Sequence, residues 1–258
     1  MSRLTVVLSQ APGKHPAKRA LEEAAVAALI MEPGIDASVV PNLYDLSADH
    51  TGRLFLESVK GDMVVLSWLF PRAAFWVLDR DGIKGHWGET QLKPPADDAE
   101  DEEAAAEEPE ARGIGSVEVP DRTIYCLDLR DFNTHQPYVE EVRRIAAECR
   151  QRQEAKATAQ AKPALVQLGV SGTPAPFTPE QLLQAPNRRW YPVIDYSRCT
   201  NCMECIDFCL FGVYGVDRAD TILVEQPDNC RKGCPACSRV CPENAIMFPQ
   251  HKTPTIAG

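Results

Sequence analysis

The chemistry available to this chain is concentrated in sulfur. Ten cysteines occur in 258 residues, and eight of them fall between Cys199 and Cys241. They form two runs, Cys199-x2-Cys202-x2-Cys205-x3-Cys209 and Cys230-x3-Cys234-x2-Cys237-x3-Cys241, the second followed by Pro242. Thiolates are soft donors and select zinc, copper(I) or iron–sulfur clusters over hard cations. Zinc sites also take four thiolates, commonly as Cys-x2-Cys pairs well separated in sequence. Two quadruplets, each packed within a dozen residues, fit a pair of 4Fe–4S cubes better, since each cube offers four iron corners to four thiolates. The opening Met-Ser-Arg-Leu-Thr-Val-Val-Leu-Ser carries no signal-peptide pattern. The expected compartment is therefore the reducing cytoplasm, where a disulfide framework does not persist. Cys126 and Cys149 lie apart from the runs and have no metal-ligating neighbour in sequence. They read as a buried small hydrophobe in a strand and a bystander thiol on a helix.

The two runs belong to an internal repeat. Pro192-Val193-Ile194-Asp195-Tyr196 precedes the first run and Ile222-Leu223-Val224-Glu225 precedes the second. Leu210-Phe211-Gly212-Val213-Tyr214 follows Cys209, and Pro242-Glu243-Asn244-Ala245-Ile246 follows Cys241. Each half predicts strand, cysteine loop, short helix, strand. On these residues, 189–258 resembles a bacterial-type ferredoxin domain with two 4Fe–4S clusters, an α+β fold. The resemblance implies that Cys199, Cys202 and Cys205 hold one cluster together with the distant Cys241. It implies equally that Cys230, Cys234 and Cys237 hold the other with Cys209, because in such runs the fourth cysteine serves the opposite cube. One-electron transfer follows, with Val193, Ile194, Phe208, Phe211, Val213, Tyr214, Ile222, Ile246 and Phe248 as the apolar jacket and core. Two departures stand out: the three-residue spacer Arg231-Lys232-Gly233, whose glycine relieves strain in the longer loop, and Cys209-Leu210 where a proline is usual.

The elements ahead of the cysteines read as alternating strands and helices. Leu4 to Ser9, Ala37 to Leu43, Asp62 to Phe70 and Arg122 to Leu129 are β-like runs. Pro16 opens an Ala/Leu-rich helix ended by Pro33-Gly34; Leu54 to Val59 and Pro71 to Asp79 predict short helices. Tyr138 to about Gln153 predicts an amphipathic helix through Val139, Val142, Ile145 and Ala146. Runs apolar enough to be buried on both faces predict a small, mostly parallel, flavodoxin- or Rossmann-like α/β sheet over 1–153. Within it, Ala96 to Arg112 holds nine acids and one base, and reads as a disordered insert that solvates a surface or recruits a basic partner. Residues 154–188 carry five prolines between Pro163 and Pro186, a linker or surface strap in which Ala164 to Gly169 offers an extra edge strand.

Composition narrows the function classes. The net charge of −10 is largely that one acidic insert; residues 1–95 hold ten bases and eleven acids, and 187–258 eight of each. No region has the basic footprint of a nucleic-acid binder, and the longest apolar stretch, about Met63 to Phe70, is far short of a bilayer span. The loop Ser9-Gln10-Ala11-Pro12-Gly13-Lys14-His15 sits where α/β proteins often hold phosphate, yet lacks G-x-G-x-x-G and the P-loop pattern. Asp128, Asp131 and His135 follow the last strand and read first as turn and cap residues. Trp68, Trp76 and Trp87 read as core or partner-facing aromatics. The expected function is a ferredoxin-like carrier or relay subunit with an electron donor and an acceptor docking through a basic surface. The alternative is an oxidoreductase whose α/β domain binds flavin or a nucleotide.

Overall fold

The computed structural model describes residues 3–92, 113–116, 118–159 and 178–258. The acidic run 96–112 and the edge strand expected at 164–169 lie outside them. Five strands form one sheet: β1 (Leu4–Ser9), β2 (Ile35–Val40), β3 (Met63–Ser67), β4 (His86–Gly88) and β5 (Thr123–Asp128). Every pair in it is parallel, in the order β2-β1-β3-β5-β4. The doubly wound order 2-1-3-4-5 is thus kept for three strands and exchanged in the last two. The chain makes the three-residue β4 at the edge, then returns β5 between it and β3.

Helices cover both faces. α1 (Pro16–Ile30) and α4 (Gln136–Ala159) pack on one side through Leu21, Ala25, Leu29, Val142 and Ile145. α2 (Thr51–Ser58) and α3 (Pro71–Arg80) pack on the other through Leu56, Ala73, Ala74 and Val77. Pro16 and Pro71 each occupy the first helical turn, where a missing N–H costs nothing. All five residues of β3 are buried, as its unbroken apolar run requires in the middle of a two-sided sheet. The strand Met63–Ser67 is shorter than the run read from sequence, because Trp68 to Phe70 turn into α3. β4 was not expected; three residues are too few to show a period.

The cysteine-rich part closes the α3 side. Its elements, preceded by the short helix α5 (Pro179–Leu182), are β6 (Val193–Ile194), α6 (Glu204–Phe208), β7 (Tyr214–Val216), β8 (Ile222–Val224), α7 (Ala236–Val240), β9 (Ile246–Met247) and, after a turn, a last short helix (Pro254–Ala257). β6 pairs antiparallel with β9, and β7 with β8. The first strand of one half thus pairs with the last strand of the other. Strand alternation then divides labour. Val193 and Met247, opposite each other, join the core of the sheet layer, while Ile194 and Ile246, the next pair, face a second core with Val213, Ile222 and Phe248. Ahead of β6, residues 178–190 form a strap that is tied down along its length. Thr51 Oγ1 donates to Gln181 O, His50 Nε2 lies 2.7 Å from Gln184 O, and Arg189 Nη1 donates to Leu46 O at 2.9 Å. Tyr44 and Tyr191 stack at 4.3 Å and exchange hydrogen bonds between hydroxyls and main chain.

Candidate metal centres

The cysteine loops hold unusual backbone angles. Asn201 and Met203, between Cys199 and Cys205, have φ of 61° and 65°. Asn tolerates the left-handed region, and here its side chain is pinned: Nδ2 donates to Asp220 O and Oδ1 accepts from Ile222 N. In the second loop the left-handed position falls on Gly233, with φ of 80° and open space where a Cβ would stand. The longer spacer therefore needs glycine for its angle, not for room.

These loops bring the eight thiols into two groups. Cys199, Cys202, Cys205 and Cys241 line one small cavity, together with Ile194, Met203, Ile222 and Ile246. Cys209, Cys230, Cys234 and Cys237 line a second, larger and more open one with Pro192, Phe208, Val213 and Tyr214. Each cavity takes three cysteines from one run and the last cysteine from the other. All ten cysteines are free thiols. Among the described residues no three His, Cys, Asp or Glu side chains converge on a single-ion site. The spread suits ligands at the separate corners of a polynuclear core.

Electrostatics follow the same grouping. Burial pushes Cys199 up, the Asn201 backbone N–H pulls it down, and the charges of Cys241 and Cys202 raise it again. Burial, then the charge of Cys199, pushes Cys205 up to about 12. In the other group burial and the charges of Cys237, Cys234 and Cys209 push Cys230 up to about 12. Cys237 is pushed up to about 11, again chiefly by burial, with Cys209 and Cys234 adding to it. Four thiolates cannot share such a space without a cation, and a bound metal core would supply the missing positive charge.

Two polar groups test whether a sulfur-ligated core fits. Ala245 N donates to Cys241 Sγ at 3.3 Å, a bond that favours the thiolate. The Tyr214 hydroxyl is buried without an acceptor in good geometry, yet lies close enough to Cys237 to lower that thiol's pKa. A thiolate there accepts the bond that a neutral thiol does not. The donor set and its surroundings therefore fit.

The weaker candidates stand elsewhere. Ala11 N donates to Glu22 Oε1 at 2.6 Å, and Trp68 Nε1 donates to the same oxygen at 2.9 Å. A buried carboxylate thus holds a loop amide that a phosphate at the β1–α1 turn would need. Asp128 is buried against Arg130, with Nε 2.8 Å from Oδ1, and caps the turn after β5 through Arg130 N. Burial raises Asp131 to about 6, with Asp128 adding to the effect. No bond draws His135 toward either aspartate; its carbonyl accepts from Val139 N. Trp76 meets Phe75 and Tyr196 edge-on, whereas Trp87 is half exposed against Phe75. Cys126 is buried in β5 and pushed up to about 12. Cys149 accepts a bond from Arg152 at 3.1 Å. Sequence reasoning missed Arg72, Asp195 and the Gly113–Gly115 segment, all of which grip the Cys199 loop. Ile114 N donates to Cys199 O at 2.9 Å, and Gly113 N to Ser197 O at 2.8 Å.

Comparison with known proteins finds a likeness to ferredoxin-named proteins over part of the chain. Sixty-six residues, 25% of the chain, are 50% identical to an uncharacterized ferredoxin of Methanocaldococcus jannaschii, covering 44% of that protein. Fifty-nine residues, 23% of the chain, are 36% identical to pyruvate synthase subunit PorD of the same organism, covering 66% of it. The chain thus spans less than half of the first relative and under two thirds of the second. No protein-family model matches the chain, and no solved structure matches it. No helix among the described residues is long and apolar enough to cross a membrane.

Proposed function

We propose that this chain is an electron-transfer protein holding two 4Fe–4S clusters in residues 189–258, working as a ferredoxin-like carrier or a relay subunit of a cytoplasmic redox system. The observation that carries the reading is the crossing of the two runs: Cys241 lines the cavity of the first trio and Cys209 that of the second. When bound, such clusters supply one-electron transfer. The protein's part is to hold charge. Cys199, Cys202, Cys205 and Cys241 hold one cluster; Cys230, Cys234, Cys237 and Cys209 hold the other. Backbone N–H groups of Asn201 and Ala245 favour charged sulfur, and Ile194, Ile246 and Phe248 keep water away. No substrate pocket is required.

The likeness to a protein named as a subunit of pyruvate synthase supports a redox enzyme as partner. Residues 187–258 carry eight acids and eight bases; bound clusters make that patch negative, so the donor or acceptor docks through a basic surface. The α/β part, closed by α4, serves as the assembly and docking module, with 178–190 as the strap that leads into the cysteine-rich part. The test is iron and acid-labile sulfide quantitation with low-temperature EPR of the reduced protein. About eight irons with two interacting paramagnets are expected; stoichiometric zinc overturns the reading.

A further inference from the structure

The internal repeat makes the two thiol groups comparable position by position, and at one position they differ in charge. Asp195 lies four residues before Cys199, and its N–H donates to Ala245 O at 2.8 Å, four residues after Cys241. Gln226 lies four residues before Cys230, and its N–H donates to Val213 O at 3.0 Å, four residues after Cys209. The two backbone bonds are related by the repeat. The side chains are not alike: Asp195 is 1% exposed, whereas Gln226 is exposed and uncharged.

Asp195 is buried because a cation from outside the repeat meets it. Arg72, in the first turn of α3, places Nε 2.5 Å from Asp195 Oδ2 and Nη2 2.7 Å from Asn244 O. One guanidinium thus ties the chain ahead of Cys199 to the chain behind Cys241. Both segments belong to the first thiol group. Asp195 in turn orders the Cys199 loop: its Oδ1 accepts from Ser197 N at 2.9 Å and its carbonyl accepts from Cys199 N at 2.9 Å. Arg198 stands 3.7 Å from the same carboxylate. α3 grips this loop twice more. Trp76 packs edge-on against Tyr196 at 5.8 Å, and Asp79 accepts from Ser116, whose neighbour Gly115 donates to Tyr196 O.

We infer that Arg72 is a positioning residue for the first cluster, and that the Arg72–Asp195 pair, absent from the second half of the repeat, sets the reduction potentials of the two clusters apart. This rests on the function proposed above. Reduction adds negative charge to a cluster, so a cation held beside it favours the reduced form and a carboxylate opposes it. Asp195 alone would disfavour reduction; Arg72, which reaches past it to Asn244 O behind Cys241, and Arg198 beside the same carboxylate outweigh it, in a partly buried site where solvent screens little. The α/β module is then part of the electron-transfer site itself, and the two clusters are unequal by construction.

The test uses the full chain, with redox titration followed by EPR on wild type, Arg72→Gln, Arg72→Lys and Asp195→Asn. The wild type's eight irons and two redox waves test the function; the variants test the inference. Arg72→Gln is expected to shift one midpoint to more negative potential and Asp195→Asn to shift the same midpoint to more positive potential. The other wave stays in place, and Arg72→Lys stays near wild type. A loop that is merely loosened does not produce shifts of opposite sign. If Arg72→Gln sheds iron instead, half of it must go and Arg72→Lys must recover it. Shifts of one sign, movement of both waves, movement of neither, or loss of all iron overturns the inference.

Discussion

Cys241 belongs by sequence to the second run and by position to the first cavity. Its thiolate faces Cys199 and Cys205, whose pKa values it raises. Cys241→Ser is therefore expected to abolish the same EPR signal as Cys199→Ser and to halve the iron, while Cys230→Ser abolishes the other signal. A Cys241→Ser protein that loses the Cys230 signal would reverse the ligand assignment. At this scale the sulfur was legible because metal chemistry constrains both residue type and spacing. Arg72 and Asp195 were not: an arginine and an aspartate 123 positions apart leave no local pattern, and only the fold makes them neighbours. Tyr214 was legible as an apolar ring and not as a donor, since its hydroxyl matters only beside Cys237.

Among the elements, the long ones could be read and the short ones could not. β1 and α3 fall within a residue of expectation because a buried strand and a Pro-started amphipathic helix announce themselves through period and punctuation. α4 runs to Ala159, past the boundary near Gln153; its later turns carry no apolar stripe to be recognised by. The segment 113–116 is the least legible and among the most consequential. It lies at the end of an acidic run, yet Gly113, Ile114 and Gly115 donate in turn to Ser197, Cys199 and Tyr196. A Cβ on Gly113 would stand 2.2 Å from Tyr196 O, a main-chain atom that cannot swing away. Gly113→Val is thus expected to break the clip and destabilise the chain by about 1–3 kcal/mol, with the Cys199 EPR signal broadened and the Cys230 signal unchanged. Gly61→Ala is the control, since its Cβ meets nothing within 4 Å. Equal melting temperatures for the two variants would show that the clip carries no load.

The whole molecule couples the two layers more tightly than a tethered pair of domains requires. Tyr191, Val193 and Met247 are each 0% exposed and belong to the core under α3. If a fragment 187–258 were expressed alone, these three side chains would lose that cover. At roughly 1.5–3 kcal/mol each, the loss is about 5–9 kcal/mol, comparable to the whole stability of a small domain. The fragment would also lose the Tyr44–Tyr191 exchange of hydrogen bonds and the Arg72 contacts. Cluster binding offsets part of this, because metal binding free energy adds directly to folding free energy. The expected outcome is a fragment that takes up iron but releases it to a chelator much faster than the full chain. Release from the site of Cys199, the one α3 holds, should run ahead of release from the site of Cys230. Iron release at one common rate in fragment and full chain would mean that the α/β layer leaves both sites untouched. Its role would then have to be sought in docking alone.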